Sequence, residues 1–193
     1  MMENLIVGID EAGRGPWAGP LTAAAVLLPV ECVMNGVKDS KQLTIDGRSR
    51  LAAVIARTAQ AVGLGWASPS EIDQLGLRIA TTLAMGRAYA QLGELRARII
   101  IDGSINYLPD IPLTETLVRA DQTIPAVSAA SIIAKHYRDQ YMKHLAHLYP
   151  EYGFERHVGY GTSAHAQALA QYGACLLHRH SFAPVRRRVA AIG

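Results

Sequence analysis

The chain has 193 residues; half of them are hydrophobic, 18% are charged, and the formal net charge at pH 7 is +3. These values predict one folded unit with a substantial core, exclude a disordered chain, and suit a polyanionic partner without requiring one. The sequence shows neither a signal-peptide pattern nor an apolar run long enough to span a bilayer, so we expect a cytoplasmic protein that does not bind membranes. The two cysteines, Cys32 and Cys175, are too few and too far apart for a disulfide framework or a zinc site.

The most informative feature lies near the N-terminus, where an apolar run ends in two adjacent acids. Residues 4–10 are predicted to form a buried strand that ends at Asp10, and Glu11 follows directly. Active sites of α/β proteins collect at the carboxyl ends of strands. Adjacent strand residues point to opposite faces, so both acids serve one site only if the backbone turns there, which Gly13 and Gly15 permit.

The rest of the chain alternates strands with helices. Further strands are predicted over residues 19–28, 62–67 and 98–102, and helices over 44–61, 68–92 and 128–148. This alternation predicts an α/β layer fold. We expect residues 1–148 to form this domain. Residues 149–193 start with a stretch rich in Gly, Tyr and His. We expect them to form a small helical extension that packs on the domain as part of one structural unit.

Helical periodicity divides residues 128–148 into two faces. The outward stripe is predicted to carry Ser131, Lys135, Asp139 and Met142. The opposite stripe is predicted to face the core and consists of Ala130, Ile133, Tyr137, Tyr141 and Leu148. Lys135 and Asp139 are four residues apart, a spacing that favours a surface ion pair.

Two further acids stand where either a structural or a functional role fits. Asp102 ends the apolar run 99–101, where an acid is costly to bury unless it is paired or bound to a cation. Asp121 precedes a loop into the next helix and has the position of an ordinary cap or turn acid. At the C-terminal end an arginine cluster suits either a solvated tail or phosphate contacts; it consists of Arg179, Arg186, Arg187 and Arg188.

Five segments in one order carry a family resemblance. They are GIDEAGRGPWAGP (8–20), DSKQLT (39–44), IIIDG (99–103), RADQTIPAVSAASIIAKHYRD (119–139) and YGFERHVGYGTSAH (152–165). Together they closely resemble ribonuclease HII, the type 2 ribonuclease H, over most of the chain. The resemblance implies a ribonuclease H-like mixed sheet flanked by helices, with the extension forming one wall of a substrate groove. It also implies a metal-dependent endoribonuclease that cuts the RNA strand of RNA–DNA hybrids and incises 5′ to single ribonucleotides in duplex DNA, leaving 5′-phosphate and 3′-hydroxyl ends.

The resemblance assigns roles to individual residues. The active-site carboxylates are Asp10, Glu11, Asp102 and Asp121. Clustered carboxylates repel one another, so a hard divalent cation is expected to neutralise them, Mn²⁺ or Mg²⁺, with two ions per turnover. The segment Gly13, Arg14 and Gly15 is implied to read the 2′-hydroxyl at the RNA-to-DNA junction, and Tyr160 to pack on the deoxyribose. Lys41 is predicted to contact phosphate, while Lys135 and Asp139 are supporting residues.

Three alternatives stay open from the sequence. Another nuclease or transposase with the same kind of sheet also uses clustered acids. A nucleotide-binding oxidoreductase has a glycine-rich turn after its first strand, although the spacing here is not GxGxxG. A non-catalytic nucleic-acid-binding module gains nothing from four carboxylates. We expect a monomer that binds RNA–DNA hybrid, or DNA duplex containing ribonucleotides, without an obligate protein partner.

Overall fold

The computed structural model describes residues 5–29 and 44–189. Lys41, the predicted phosphate contact, lies outside these ranges, as does Cys32. Within them, no helix combines the length and apolar character needed to cross a membrane.

The described chain is organised around a five-stranded mixed sheet, which confirms the predicted fold class. The strands are β1 (Ile6–Ala12), β2 (Leu21–Leu27), β3 (Ala61–Ala67), β4 (Arg98–Asp102) and β5 (Thr114–Leu117). They lie in the order β3-β2-β1-β4-β5, and β1 is antiparallel to β2 but parallel to β4. Strand β5, which has only four residues and alternates exposed with half-buried positions, was not predicted.

Helices cover both faces of the sheet. The helices of this part are α1 (Ile45–Thr58), α2 (Pro69–Ala90), α3 (Ala120–Thr123) and α4 (Pro125–Leu148). Helix α2 packs on one face and begins with the capping box that its sequence predicts, Ser68 with Glu71. Helices α1 and α4 pack on the other face, where Ala52 and Ile55 meet the alanines and isoleucines of α4. Each face therefore has its own apolar core.

A glycine in β1 brings α4 unusually close to the sheet. A Cβ atom at Gly8 would lie 2.1 Å from the carbonyl carbon of Ala126 and 2.2 Å from the nitrogen of Val127. Only glycine fits such an approach without displacing the helix. This contact places the next turn of α4 above the carboxyl end of β1.

The predicted faces of α4 are correct in its first half and wrong in its second. Ala130 and Ile133 are buried as predicted, but Tyr137, Tyr141 and Leu148 are 39%, 43% and 65% exposed. Met142, which was placed on the outward stripe, is fully buried. The reason is that the second half of α4 packs on the C-terminal extension, so a different stripe of the helix is covered.

The C-terminal extension is helical, as predicted. It contains a short 3-10 turn (Pro150–Tyr152), α5 (Phe154–His157), α6 (Ser163–Tyr172) and α7 (Ala183–Val189). Its core surrounds Tyr152 and Phe154 and includes Met142 of α4 and Ala18 from the segment between β1 and β2. A boundary at residue 149 stays a prediction, and residues from both sides of it share this core.

Candidate active site

Strand pairing and a short helix bring the four predicted acids to one edge of the sheet. Strand β1 continues through Asp10 and Glu11 to Ala12, so the turn comes later than predicted, and the two acids nevertheless both lie close enough to Asp102 for their charges to interact with it. The parallel register pairs Ile9 with Ile101, and the next positions along the two strands are Asp10 and Asp102. Helix α3 adds Asp121, whose backbone N–H lies 3.5 Å from Asp102 Oδ1.

Burial and mutual repulsion make this edge electrostatically unfavourable by itself. Asp10 is 8% exposed, and burial, followed by the charges of Glu11 and Asp102, raises its pKa well above the ordinary value. Two hydrogen bonds act in the opposite direction, from the Ser131 side chain and from the Glu11 N–H at 2.8 Å. Burial also raises the pKa of Glu11, against the effect of Arg14 at 3.2 Å.

The donor set fits a hard divalent cation that arrives with other oxygen ligands. The Glu11 Oε2 atom is buried and accepts no hydrogen bond from the described residues. In the same ranges, no set of three or more His, Cys, Asp or Glu side chains is already spaced to hold a metal ion. Mg²⁺ commonly binds through one or two carboxylates together with water and substrate phosphate, so an open group of acids suits it better than a closed cage.

A tight turn after β1 sits beside these acids. Gly13 has a φ of +92°, a conformation that side chains rarely adopt. Arg14 follows with Nη1 bound to two groups, the Glu11 carboxylate and the Tyr107 hydroxyl, the latter at 2.7 Å. Tyr107 was not singled out from the sequence, because it comes 93 residues later in a stretch without a recognisable pattern.

Two buried arginines lie behind the turn. A Cβ atom at Gly13 would lie 2.1 Å from Arg138 Nε, which explains why this position needs glycine. Arg138 donates to the carbonyl oxygens of Pro20, Val158 and Ala18, at 2.9, 3.0 and 3.3 Å. Arg179 is also fully buried. Both readings of Arg179 from the sequence, a solvated tail and a phosphate contact, are therefore wrong.

Tyr160 extends from a glycine loop towards the turn. Tyr160 is 42% exposed. A Cβ atom at Gly161 would lie 2.1 Å from the indole of Trp17, so this glycine allows the loop to pack closely. On the other side, a Cβ at Gly15 would be 3.9 Å from Tyr160 Cε1. The turn and the loop are thus direct neighbours.

Glu11, the turn and Tyr160 border one open cleft. Its volume is about 440 Å³, and its lining includes Glu11, Gly13, Arg14, Gly15, Arg48, Ser131, Lys135 and Tyr160. Lys135 Nζ lies 2.7 Å from Asp139 Oδ1, which confirms the predicted ion pair, and 5.7 Å from the centre of the Tyr160 ring. Arg48 of α1 bonds the other oxygen of Asp139 at 3.3 Å. The sequence had given no signal for Arg48, because its partner is 91 residues away.

A chain of buried histidines supports the Tyr160 loop from behind. The Cys175 N–H donates to His178 Nδ1, the two Nε2 atoms of His178 and His165 lie 3.1 Å apart, and His165 Nδ1 is 2.9 Å from the carbonyl oxygen of Tyr160. A carbonyl only accepts, so His165 Nδ1 carries a proton, and neutral tautomers satisfy the whole chain. Burial, followed by the charge of His165, lowers the pKa of His178 to about 4. His165 and His178 are therefore packing residues.

Known proteins are similar to this chain in fold and in sequence. The ribonuclease HII family model matches residues 7–185. A ribonuclease HII from Hyphomonas neptunium is 50% identical over 200 residues, covering 94% of this chain and 95% of the relative. The crystal structure of ribonuclease H2 from Pyrococcus horikoshii has a TM-score of 0.80 at 26% identity, covering 97% of this chain and 98% of that one. The Mn²⁺ complex of Bst-RNase HIII has the same fold, with a TM-score of 0.77 at 23% identity, covering 99% of this chain and 71% of that one.

Topology also removes the oxidoreductase alternative. A dinucleotide-binding unit continues from its glycine-rich turn into a helix that crosses to a parallel strand. Here the turn after β1 leads to β2, which returns antiparallel beside it. The family match spans residues 7–185, which include the acids and the glycine turn. The chain belongs to the ribonuclease HII family, whose members are hydrolytic endoribonucleases acting on RNA–DNA hybrids.

Proposed function

We propose that this protein is a divalent-metal-dependent endonuclease that incises duplex DNA on the 5′ side of an embedded ribonucleotide. It also cuts the RNA strand of longer RNA–DNA hybrids, leaves 5′-phosphate and 3′-hydroxyl ends, and acts as a monomer without an obligate protein partner. The observation that carries this proposal is that Glu11, one acid of the four-acid edge, lines the same cleft as the Gly13–Gly15 turn and Tyr160.

The acids supply the cation site. Asp10, Glu11, Asp102 and Asp121 hold Mg²⁺ or Mn²⁺; the raised pKa of Asp10 and the Glu11 oxygen that has no hydrogen-bond partner among the described residues support this assignment. When bound, two divalent cations supply activation of the attacking water and stabilisation of the leaving 3′ oxygen. The Mn²⁺ complex of the related fold is in keeping with this assignment. Ser131 and the Glu11 N–H orient the Asp10 carboxylate for that role.

The turn and the loop supply recognition. Backbone N–H groups of the Gly13–Gly15 turn approach the sugar closely because glycine removes side-chain bulk, and the 2′-hydroxyl is the group that separates RNA from DNA. Tyr160 packs on the following deoxyribose with its exposed ring. Lys135 and Arg48 add positive charge to the same cleft, where a phosphate backbone enters.

One experiment tests the proposal. Purified protein is incubated with a DNA duplex carrying one ribonucleotide, and with the all-DNA duplex of the same sequence, with Mg²⁺, with Mn²⁺ or with EDTA. We expect a single cut on the 5′ side of the ribonucleotide, dependent on metal, and no cut in the all-DNA duplex. The Asp110→Asn variant, which changes an exposed acid away from the edge, serves as the matched control for Asp102→Asn.

The outcomes separate the proposal from the remaining alternative. Cleavage of both duplexes at equal rates would indicate a general metal-dependent nuclease of the ribonuclease H-like group. Cleavage in EDTA would remove the metal assignment. Loss of activity in Asp110→Asn to the same degree as in Asp102→Asn would show that the edge is not the reaction centre.

A further inference from the structure

Arg179 makes a dense set of hydrogen bonds to the backbone behind the Gly13–Gly15 turn. Its Nη2 donates to the carbonyl oxygen of Gly13 at 2.6 Å, and its Nη1 donates to that of Arg14 at 3.0 Å. Its Nε and Nη2 both donate to the carbonyl oxygen of Gly19, at 2.9 and 2.8 Å. One guanidinium therefore holds two consecutive peptide groups of the turn and the residue where the chain enters β2.

The planarity of the peptide bond converts these contacts into an orientation of the N–H groups. The carbonyl of Gly13 and the N–H of Arg14 belong to one trans peptide unit, so they point in opposite directions, and the same holds for the Arg14 carbonyl and the Gly15 N–H. Because both oxygens are directed at the buried guanidinium, both N–H groups are directed away from it. Gly15 lines the cleft beside Tyr160, so that direction leads to the bound sugar.

The charge behind the turn strengthens this arrangement. The bonds of Arg179 to the turn end on the carbonyl oxygens of Gly13 and Arg14, so this cation stands on the oxygen side of these two peptide dipoles, and Arg138 adds a second buried charge behind the turn. Burial, followed by the charge of Arg138, lowers the pKa of Arg179 to about 9, which leaves it protonated at neutral pH. Aligned N–H groups with positive charge behind them favour an electron-rich oxygen in front.

The C-terminal extension fixes Arg179 itself. Its backbone N–H donates to the carbonyl oxygen of Trp17 at 2.8 Å, and its guanidinium lies 5.1 Å from the centre of the Phe182 ring. The next two residues are tied to α2, because Asp73 accepts from the N–H groups of His180 and Ser181 at 2.8 and 2.9 Å. The guanidinium is thus held at a set position relative to the sheet.

We propose that Arg179 is the positioning residue for ribose discrimination, holding the Gly13 and Arg14 carbonyls so that the Arg14 and Gly15 N–H groups meet the 2′-hydroxyl. This inference rests on the proposed function and assigns to the extension a part in reading the substrate. Lysine cannot take over the role, since one ammonium on a flexible stem does not reproduce a planar fork that binds several oxygens at once.

The test compares affinities for two duplexes that differ in a single 2′-hydroxyl. Dissociation constants are measured with Ca²⁺ in place of Mg²⁺ to keep the complexes uncleaved, for the unmutated protein, Arg179→Lys and Arg179→Gln. We expect the preference for the ribonucleotide duplex to fall about tenfold or more in both variants, with affinity for the all-DNA duplex within about threefold, because charge-assisted hydrogen bonds to the turn are lost. If Arg179 had a purely structural role, its variants would contain a smaller fraction of active protein, but the ratio of the dissociation constants for the two duplexes would be unchanged.

Ile55→Ala is the matched control, because it removes fully buried volume from the α1–α4 core and touches neither the turn nor the loop. It should lose stability and keep the ratio. An unchanged ratio in a folded Arg179→Lys protein would overturn the inference while leaving the proposed function intact. Absence of any ribonucleotide-dependent cleavage by the unmutated protein would instead overturn the proposed function.

A measurement on the unmutated protein covers the case in which both variants fail to fold. In ¹⁵N NMR spectra, the Arg14 and Gly15 amides should shift with the ribonucleotide duplex and not with the all-DNA duplex, and the Arg179 Nε–H should exchange slowly with solvent. An Arg179 Nε–H that exchanges as fast as that of the exposed Arg186 would contradict the inference.

Discussion

The two sides of the cleft carry opposite charges, and these charges are stabilised in different ways. On the acid side, four carboxylates meet at one sheet edge, burial raises the pKa of Asp10, and a Glu11 oxygen has no partner among the described residues. On the other side, the buried cations Arg138 and Arg179 are bonded to backbone carbonyls throughout their guanidinium groups. The acid side carries repulsion that the proposed cation would relieve, whereas the buried arginines behind the turn already have their hydrogen-bond partners.

Because of this difference, substrate recognition and metal binding have different free-energy costs in the proposed reaction. A recognition surface that is already bonded loses little ordering entropy when substrate binds, so more of the binding energy appears as discrimination. The acid edge, by contrast, stores repulsion that a divalent ion relieves. Variants on the acid side should therefore change the chemistry and the response to metal, and variants on the recognition side should change the choice of substrate.

The largest effect is expected from removing a carboxylate at the edge. Asp10→Asn and Asp102→Asn should each lower single-turnover cleavage at least about a thousandfold, because each removes a metal-coordinating charge without removing core volume. Fold and hybrid affinity should stay close to those of the unmutated protein. Circular dichroism, binding and cleavage are measured on the same preparations. Substantial turnover in both variants at saturating metal would reject the metal-site assignment.

In the absence of metal, Asp10→Asn should raise the stability of the protein, although it lowers the activity. The folded pKa of Asp10 is raised, so the stability that this group contributes is present at low pH and is lost as pH rises through that pKa. Asp10→Asn should therefore raise the melting temperature of the metal-free protein at pH 7. Mg²⁺ at a hundred times its Kd should stabilise the unmutated protein by about 2.7 kcal/mol and the variant by much less. A variant that melts lower in EDTA and gains as much from Mg²⁺ would show that the acids do not repel as described.

A smaller effect, and a selective one, is expected from the aromatic ring on the recognition side. Tyr160→Ala should slow incision at a lone ribonucleotide about ten- to hundredfold, since a stacked aromatic contact contributes about 1–3 kcal/mol. Affinity for all-DNA duplex should change less. Tyr137→Ala is the control, because Tyr137 is similarly exposed on α4 and does not line the cleft. Equal loss of incision and of duplex affinity would mean that Tyr160 contributes only general binding.

The same contrast explains what the sequence allowed us to predict. Asp10 and Glu11 are adjacent at the end of an apolar run, so their pattern is local and chemically unusual, and the acid edge was predictable. Apart from the bond from Arg138 to Val158, the side chains of Arg138 and Arg179 reach their carbonyl partners across 118 to 166 positions of sequence, and nothing next to them marks an arginine as buried. The C-terminal arginines were therefore read together, although Arg186 and Arg187 are exposed and Arg179 is not.

Helix α4 shows a second limit of local patterns. Its periodicity predicts a single buried stripe, and that stripe is correct where the helix crosses the sheet. Beyond Asp139 the helix also meets the extension, which buries Met142, whereas Tyr141 stays 43% exposed beside Trp66 of β3. A change of packing partner along one helix depends on elements that come later in the chain, so the periodicity of the helix does not contain it.

The smallest expected effect concerns the histidine chain that supports the Tyr160 loop. The folded protein keeps His178 neutral down to about pH 4, while an unfolded chain protonates histidine near pH 6.5. Between these values the unfolded state binds more protons, so the free energy of unfolding falls as pH decreases from about 6.5 to about 4. At pH 5 the loss should be about 2 kcal/mol, or roughly 4–8 °C in melting temperature for a chain of this size.

The variant His178→Asn isolates this contribution. Melting temperatures are measured from pH 7 to pH 4 for the unmutated protein, for His178→Asn and for His147→Asn, a control that changes an exposed histidine of α4. The decline should be shallower in His178→Asn because the group that takes up the proton on unfolding is absent. His147→Asn should follow the unmutated curve. Parallel curves for all three proteins would show that His178 titrates normally in the folded state. The histidine chain behind the Tyr160 loop would then accommodate a charged His178, and the neutral tautomers assigned to His165 and His178 would be wrong.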